Sequence, residues 1–200
     1  MTQVNVANIK AIYQLASTQE IVDGKFWYST AYVIAEQLAE TYDVSLAQAI
    51  GVIAALSPRN KWERNVIDAE SLINAYVDGG SEQATLTKVC TFGANKAKAI
   101  KILELACASE TDVLTILSGP KLREFYRCIY GLDDVCIDGH AWCIHQGGRV
   151  TLADVPRISA KLRTEIKADY AQAAAGLGIS ASELQAITWV AWRRIHGITK

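Results

Sequence analysis

The sequence lacks the features that define several large classes of protein. Its 20 Lys and Arg are offset by 21 Asp and Glu, so the formal net charge of -1 gives no general attraction for phosphate backbones. No apolar run approaches the length that spans a bilayer, and the N-terminus has no charged-then-apolar signal pattern. We therefore expect a cytoplasmic protein with no membrane partner, in which nucleic-acid contacts require a local basic face.

Close cysteine pairs are also missing. The cysteines are odd in number, lie inside apolar segments and form no C-x-x-C pair, whereas structural zinc sites and iron-sulfur clusters normally use at least one close pair. We expect no metal, no metal cluster and no other cofactor. The thiols are interpreted as reduced and buried, and they are Cys90, Cys107, Cys128, Cys136 and Cys143.

Proline is scarce as well, with three in 200 residues. Apolar residues make up 50% of the chain, and most recur at i, i+3 and i+4, the period of a helix, rather than alternating. The sequence therefore predicts an all-α fold of about ten helices in a single domain. Three capping boxes mark predicted helix starts, and they are Ser45 with Gln48, Ser109 with Asp112, and Ser180 with Glu183.

Other helix boundaries are predicted from single residues. Leu46 to Leu56 is almost wholly apolar and is ended by Pro58, so this helix belongs in the centre of a core. Ser29 is predicted to cap a helix that reaches Tyr42. Asp23-Gly24 is predicted to form a turn after the N-terminal helix.

The stretch of residues 135–142 is the first candidate for chemistry. In Val135-Cys136-Ile137-Asp138-Gly139-His140-Ala141-Trp142 a carboxylate and an imidazole stand two residues apart, between an apolar run and an aromatic residue. An Asp at a helix start is usually an N-cap with no catalytic duty. Both interpretations of Asp138, helix cap and catalytic carboxylate, are open from these residues alone.

Four segments in a fixed order extend the evidence beyond this stretch. They are a buried helix that ends in Leu56-Ser57 and a polar loop, Phe92-Gly93 before a Lys-Ala helix, a hairpin position at 113–121, and Gly131 followed by the Asp138 stretch. Over roughly residues 46–146 the chain resembles the helix-hairpin-helix DNA glycosylases, the group that contains endonuclease III and the eight-oxoguanine glycosylases.

The resemblance implies a fold and an activity. The expected fold has two helical lobes, residues 28–131 and residues 1–27 with 132–200, a helix-hairpin-helix element and an interlobe cleft. The expected enzyme is a monomer that binds duplex DNA, flips an altered base and hydrolyses its N-glycosidic bond without a metal. Asp138 matches the catalytic carboxylate of the family, which stabilises the cationic sugar and orients or deprotonates the attacking water.

The hairpin departs from the family pattern. The family has Leu-Pro-Gly-Val-Gly, followed in bifunctional members by a Schiff-base lysine, whereas this chain has Leu117-Ser118-Gly119-Pro120-Lys121. Pro120 stands at the position of the lysine, and Lys121 is adjacent. We therefore expect a monofunctional enzyme in which Lys121 contributes at most weak lyase chemistry.

Several residues are predicted to contact DNA because of the resemblance or their charge. Each basic group alone is equally consistent with a solvated helix face, and His140 with a hydrogen-bonded structural residue. Asn60 or Trp62 is a candidate to fill the gap left by a flipped base, whereas Trp189 and Trp192 are interpreted as packing residues. The predicted DNA-binding residues are His140, Gly119, Asn60, Arg59, Lys61, Lys96 and Arg123.

Two other functions remain open from the sequence. Some virus-encoded relatives of these glycosylases are thought to remodel modified thymine in DNA, and the altered hairpin suits such a diverged member. A non-catalytic DNA-binding or interaction module that kept the fold is the other alternative.

Overall fold

The computed structural model describes residues 2–106 and 108–198, and within them the chain forms eleven helices and no strand. The all-α prediction is confirmed. Of the thiols expected to be buried, three are buried, Cys128, Cys136 and Cys143, whereas the expectation is wrong for Cys90, which is exposed in the segment before α6. Cys107 lies outside the described residues. The helices are α1 Thr2–Gln14, α2 Thr18–Lys25, α3 Trp27–Tyr42, α4 Leu46–Leu56, α5 Trp62–Leu86, α6 Gly93–Leu103, α7 Glu110–Ile116, α8 Pro120–Tyr130, α9 Gly139–Gln146, α10 Ala160–Ala175 and α11 Ala181–Ile195.

The helix starts that were predicted from capping boxes are confirmed. The side chains of Ser45, Ser109 and Ser180 each accept a hydrogen bond from the backbone N–H of the residue three positions later. The side chain of that later residue accepts a hydrogen bond from the backbone N–H of the Ser. Each box satisfies two of the amide groups that a helix start leaves unpaired. Local sequence alone therefore determines these boundaries.

Two of the predicted boundaries are wrong. Asp23-Gly24 is not a turn, because α2 runs through both residues from a capping box of Ser17 and Glu20. Ser29 does not cap α3, because the helix already begins at Trp27 and the Ser29 hydroxyl donates to the carbonyl of Phe26. Ser occurs both at N-caps and inside the first turn of a helix, so the residue type alone did not distinguish the two positions.

The chain divides into two compact units, Met1–Thr30 with Gly131–Lys200, and Ala31–Tyr130. In the second unit α4 is the central helix, and every residue from Ala47 to Leu56 is buried, as predicted. The amide of Gln48 donates to the carbonyls of Ile102, Leu103 and Leu105, which ties α4 to the end of α6.

The first unit has its own apolar core. Side chains from α1, α9, α10 and α11 form it, with Ile9, Ile144, Tyr170 and Leu184 completely buried. None of the helices in the described part of the chain is long and apolar enough to cross a membrane.

Candidate functional site

Asp138 joins a buried segment to helix α9. Val135, Cys136 and Ile137 are buried apolar residues, and Asp138 follows them in extended conformation as the N-cap of α9. Its Oδ1 accepts a hydrogen bond of 2.9 Å from the backbone N–H of Ala141. The interpretation of Asp138 as a helix cap is thus correct, and it accounts for one of the two carboxylate oxygens.

The second carboxylate oxygen is bound by a different element. Oδ2 of Asp138 accepts a hydrogen bond of 3.2 Å from the indole Nε1–H of Trp189 on α11. Because the two donors come from α9 and α11, the half-buried carboxylate is fixed in rotation as well as in position. The interpretation of Trp189 as a plain packing residue missed this contact.

Aromatic and cationic groups surround Trp189. Its ring lies edge-on to those of Trp27 and His140, with centroids 6.4 and 6.5 Å away. The Arg193 guanidinium lies over the same indole, 4.4 Å from the ring centroid, which is a cation–π contact. We call Asp138, Trp189, His140, Trp27 and Arg193 the Asp138 site.

A signal for part of this site is present in the sequence of α11. Gln185, Trp189 and Arg193 are spaced four residues apart, so they share one helix face. Gln185 accepts a hydrogen bond of 2.6 Å from the Tyr28 hydroxyl, next to Trp27 in the chain. One face of α11 thus carries a polar, an aromatic and a basic side chain, and this spacing is the pattern that links Trp189 to Arg193.

The negative charge of Asp138 affects the pKa of a buried tyrosine in the same unit. Tyr170 is completely buried, and burial raises the pKa of its phenol well above the ordinary value. The hydrogen bond with Thr188 opposes this rise, whereas the negative charge of Asp138 adds to it. Tyr170 therefore remains a neutral phenol beside the carboxylate.

A second histidine of α9 has a structural position. His145 is buried, and its Nε2 lies 2.9 Å from Oδ2 of Asp169 on α10. Asn8 on α1 donates to the backbone carbonyl of His145 at 3.0 Å. These contacts tie the end of α9 to α1 and α10.

The predicted hairpin segment consists of α7, three linking residues and α8. Gly119 is exposed with φ of 102°, a backbone conformation that favours glycine. Pro120 is the first residue of α8, and Lys121 follows on the exposed surface. Arg123 donates to the carbonyls of Leu114 and Leu117 at the end of α7, so its guanidinium closes that helix.

The loop that follows α4 contains three of the predicted DNA-binding residues. Arg59 has φ of 58°, and its guanidinium lies 4.9 Å from the ring centroid of Phe92, which is 50% exposed. Lys61 is exposed at the start of α5. Asn60 donates to Asp68 at 3.0 Å and to the carbonyl of Leu56, so its amide is bound within the protein.

Asp68 was not singled out by sequence reasoning, although it organises this loop. It is only 1% exposed, and it accepts hydrogen bonds from Asn60, from the Arg64 side chain and from the backbone N–H of Cys90. It thereby connects the loop after α4 with the loop before α6. No short-range pattern marks such a residue, because its donors come from separate segments.

Lys96 has a structural position within its unit. Its ammonium donates to the carbonyls of Thr85 and Thr87 at 2.5 and 2.6 Å, which satisfies carbonyl groups at the end of α5.

The structure brings three of the predicted DNA-binding residues, Arg59, Asn60 and Lys61, together in one loop. Asp138 and His140 lie in the other unit.

Comparison with known proteins gives a family without an assigned activity. The profile of the family described as "Family of unknown function (DUF7178)" matches residues 1–196. No curated protein and no solved structure matches the chain. Among the described residues, no three His, Cys, Asp or Glu side chains are grouped as a metal site requires.

Proposed function

The chain belongs to this family of unknown function, and we propose from the Asp138 site that it is a monofunctional DNA glycosylase-like hydrolase. It acts as a monomer on duplex DNA, flips a damaged or modified base and hydrolyses the N-glycosidic bond with the help of Asp138. The resemblance of the Asp138 stretch to the glycosylase motif and the geometry of its carboxylate support this proposal.

One observation carries the proposal beyond a helix cap. Ser residues provide the side-chain caps of α2, α4, α7, α10 and α11, whereas α9 is capped by Asp138. A cap requires one acceptor oxygen and no charge. The negative charge and the second oxygen, bound by Trp189, therefore exceed what capping needs.

The chemistry needs a fixed anion. As the bond between C1′ of the sugar and the base nitrogen breaks, the electron pair leaves with the base and positive charge develops on the sugar. The Asp138 carboxylate stabilises that charge without reorganising, since its two hydrogen bonds already hold it. It also accepts a proton from the water as the bond between that water and C1′ forms, and it returns this proton to the solvent, from which the departing base takes up its own proton.

Lys121 forms no Schiff base with the sugar in the proposed reaction. It is the second residue of α8, after Pro120 at the position where bifunctional relatives are expected to carry the lysine. Borohydride trapping with an abasic duplex tests this point. We expect no covalent adduct, and an adduct that disappears in Lys121→Gln would require a lyase step.

The activity is tested with duplex oligonucleotides that carry different altered bases, such as uracil, 8-oxoguanine and 5-hydroxymethyluracil. Mass spectrometry of the products should show a free base and an abasic strand. An altered base that remains attached with a changed mass would instead support a base-remodelling enzyme. Binding without any product would support a DNA-binding module.

The role of Asp138 is tested by two variants that keep the cap. Asn and Ser are both good N-caps, so Asp138→Asn and Asp138→Ser should fold while losing the anion. We expect base release to fall by about 10²-fold to 10⁴-fold with DNA affinity retained. Ser159→Ala, which removes the cap of α10, is the control for cap loss alone. Full turnover in Asp138→Asn would leave Asp138 as a cap only.

A further inference from the structure

The orientation of the Asp138 carboxylate depends on a residue outside its own helix. The N–H of Ala141 fixes Oδ1, but a carboxylate held at one oxygen can still rotate about the bond that joins it to Cβ. The indole N–H of Trp189 removes that rotation by binding Oδ2 at 3.2 Å. Trp189 thus supplies the second of the two points that define the plane of the carboxylate.

The indole of Trp189 is itself held from several directions. Arg193 covers the ring at 4.4 Å, and Trp27 and His140 contact it edge-on. Contacts of this kind restrict the side-chain rotation of Trp189, so its N–H is directed at Asp138 before any substrate binds. A preorganised donor acts on the carboxylate without a cost in reorganisation.

The approach of two backbones makes this arrangement possible. A Cβ on Gly24 would lie 2.4 Å from Cα of Ile187, so α2 contacts the backbone of α11 directly. Trp27 follows α2 three residues after Gly24, and Trp189 follows Ile187 by two residues. The close packing at Gly24 thus lies near both indoles in the chain, and their ring centroids are 6.4 Å apart.

We propose that Trp189 is a positioning residue, whose indole N–H holds the Asp138 carboxylate in its reactive orientation. The catalytic consequence rests on the proposed function, whereas the contact itself does not. Trp189 acts through Asp138 and needs no contact with DNA. Loss of the N–H should therefore change turnover and leave DNA affinity unchanged.

The first experiment tests the contact by NMR, without any substrate. The five tryptophans give five indole N–H signals, and Trp189→Phe identifies the signal of Trp189 by its loss. That signal should be displaced in Asp138→Asn, because the indole N–H then faces a neutral amide in place of a carboxylate. His140 and Arg193 also lie beside the ring and are unchanged in this variant, so the displacement reports the loss of the carboxylate. A signal with no dependence on Asp138 would overturn the proposal.

The second experiment measures catalysis in Trp189→Phe, which keeps an aromatic ring and removes the N–H. The rate of base release should fall by about 10-fold to 100-fold, as for one lost hydrogen bond to a charged group, with KM for the duplex unchanged. Trp192→Phe is the matched control, since Trp192 lies on the same helix and its ring is instead tilted against that of His196, with the centroids 4.0 Å apart.

The two variants together separate positioning from general packing. If Trp189 acts through Asp138, the double variant of Trp189→Phe with Asp138→Asn should be no slower than Asp138→Asn alone. Equal losses in Trp189→Phe and Trp192→Phe, or additive losses in the double variant, would overturn the positioning role. If the wild type releases no base from any duplex, the proposed function fails, and the NMR experiment still decides whether Trp189 holds Asp138.

Discussion

At the scale of single residues, Asp138 has two hydrogen-bond donors: one half of its environment is the N–H of Ala141 in its own helix, and the other half is the indole of Trp189. The apolar run before it and the helical pattern after it indicated a helix start, and the structure confirms the cap. The other half was out of reach, because Trp189 is 51 positions away and no local pattern links the two residues. Hydrogen bonds between distant segments depend on packing that local periodicity does not encode.

Glu20 shows how one residue serves two structural purposes. Its carboxylate accepts from the backbone N–H of Ser17 in the capping box and from Arg194 on α11 at 2.7 and 3.1 Å. The hydrogen bond from Arg194 lowers the pKa of this carboxyl from its ordinary value of 4.5, and burial opposes that effect. Sequence reasoning recognised neither the box nor the ion pair.

We predict that Glu20 makes the stability of the protein dependent on acid pH. Because its pKa is lower in the folded state, the stabilisation is present above the ordinary pKa of 4.5 that applies to the unfolded chain, and it is lost as the pH falls through the folded value. Denaturant unfolding at a series of acid pH values should therefore show a steeper fall for the wild type than for Glu20→Gln. Glu165→Gln, at an exposed position of α10, is the control. Identical pH dependence in wild type and Glu20→Gln would contradict this assignment.

At the scale of helices, short-range sequence signals predicted where helices begin, but they did not predict how the helices pack against one another. Capping boxes within four residues were read correctly at α4, α7 and α11. Gly24 was interpreted as a turn residue, whereas its actual role is to let α2 approach the backbone of α11. Glycine has both uses, and only the neighbouring helix distinguishes them.

We predict that Gly24→Ala is destabilising because the added Cβ would meet backbone atoms of Ile187, which cannot rotate away. Overpacking of this kind typically costs about 1 to 3 kcal/mol in free energy of unfolding, and denaturant unfolding measures it. Gly93→Ala is the matched control, since nothing lies within 4 Å of a Cβ at that position in α6. Equal stability of the two alanine variants would show that α2 and α11 do not pack at this glycine.

At the scale of the whole molecule, composition predicted the fold class and limited the kinds of nucleic-acid contact. A net charge of -1 gives no long-range attraction for DNA, so the DNA binding proposed above requires local cations at the surface. From the sequence, Lys61 and Lys96 are equally predicted to contact DNA. In the structure Lys61 is exposed, whereas the ammonium of Lys96 is bound to two backbone carbonyls.

We predict that the available cations, rather than all the basic residues, set the salt dependence of DNA binding. Each phosphate contact contributes a slope of about 0.9 in log affinity against log salt for duplex DNA, so Arg59→Ala with Lys61→Ala should reduce the slope by up to about 1.8. Lys96→Met with Arg123→Met should lower stability and leave the slope unchanged, because both cations close helix ends. Fluorescence anisotropy at several salt concentrations measures the slopes. A larger change in the second pair than in the first would place the DNA contacts at the helix-closing cations instead.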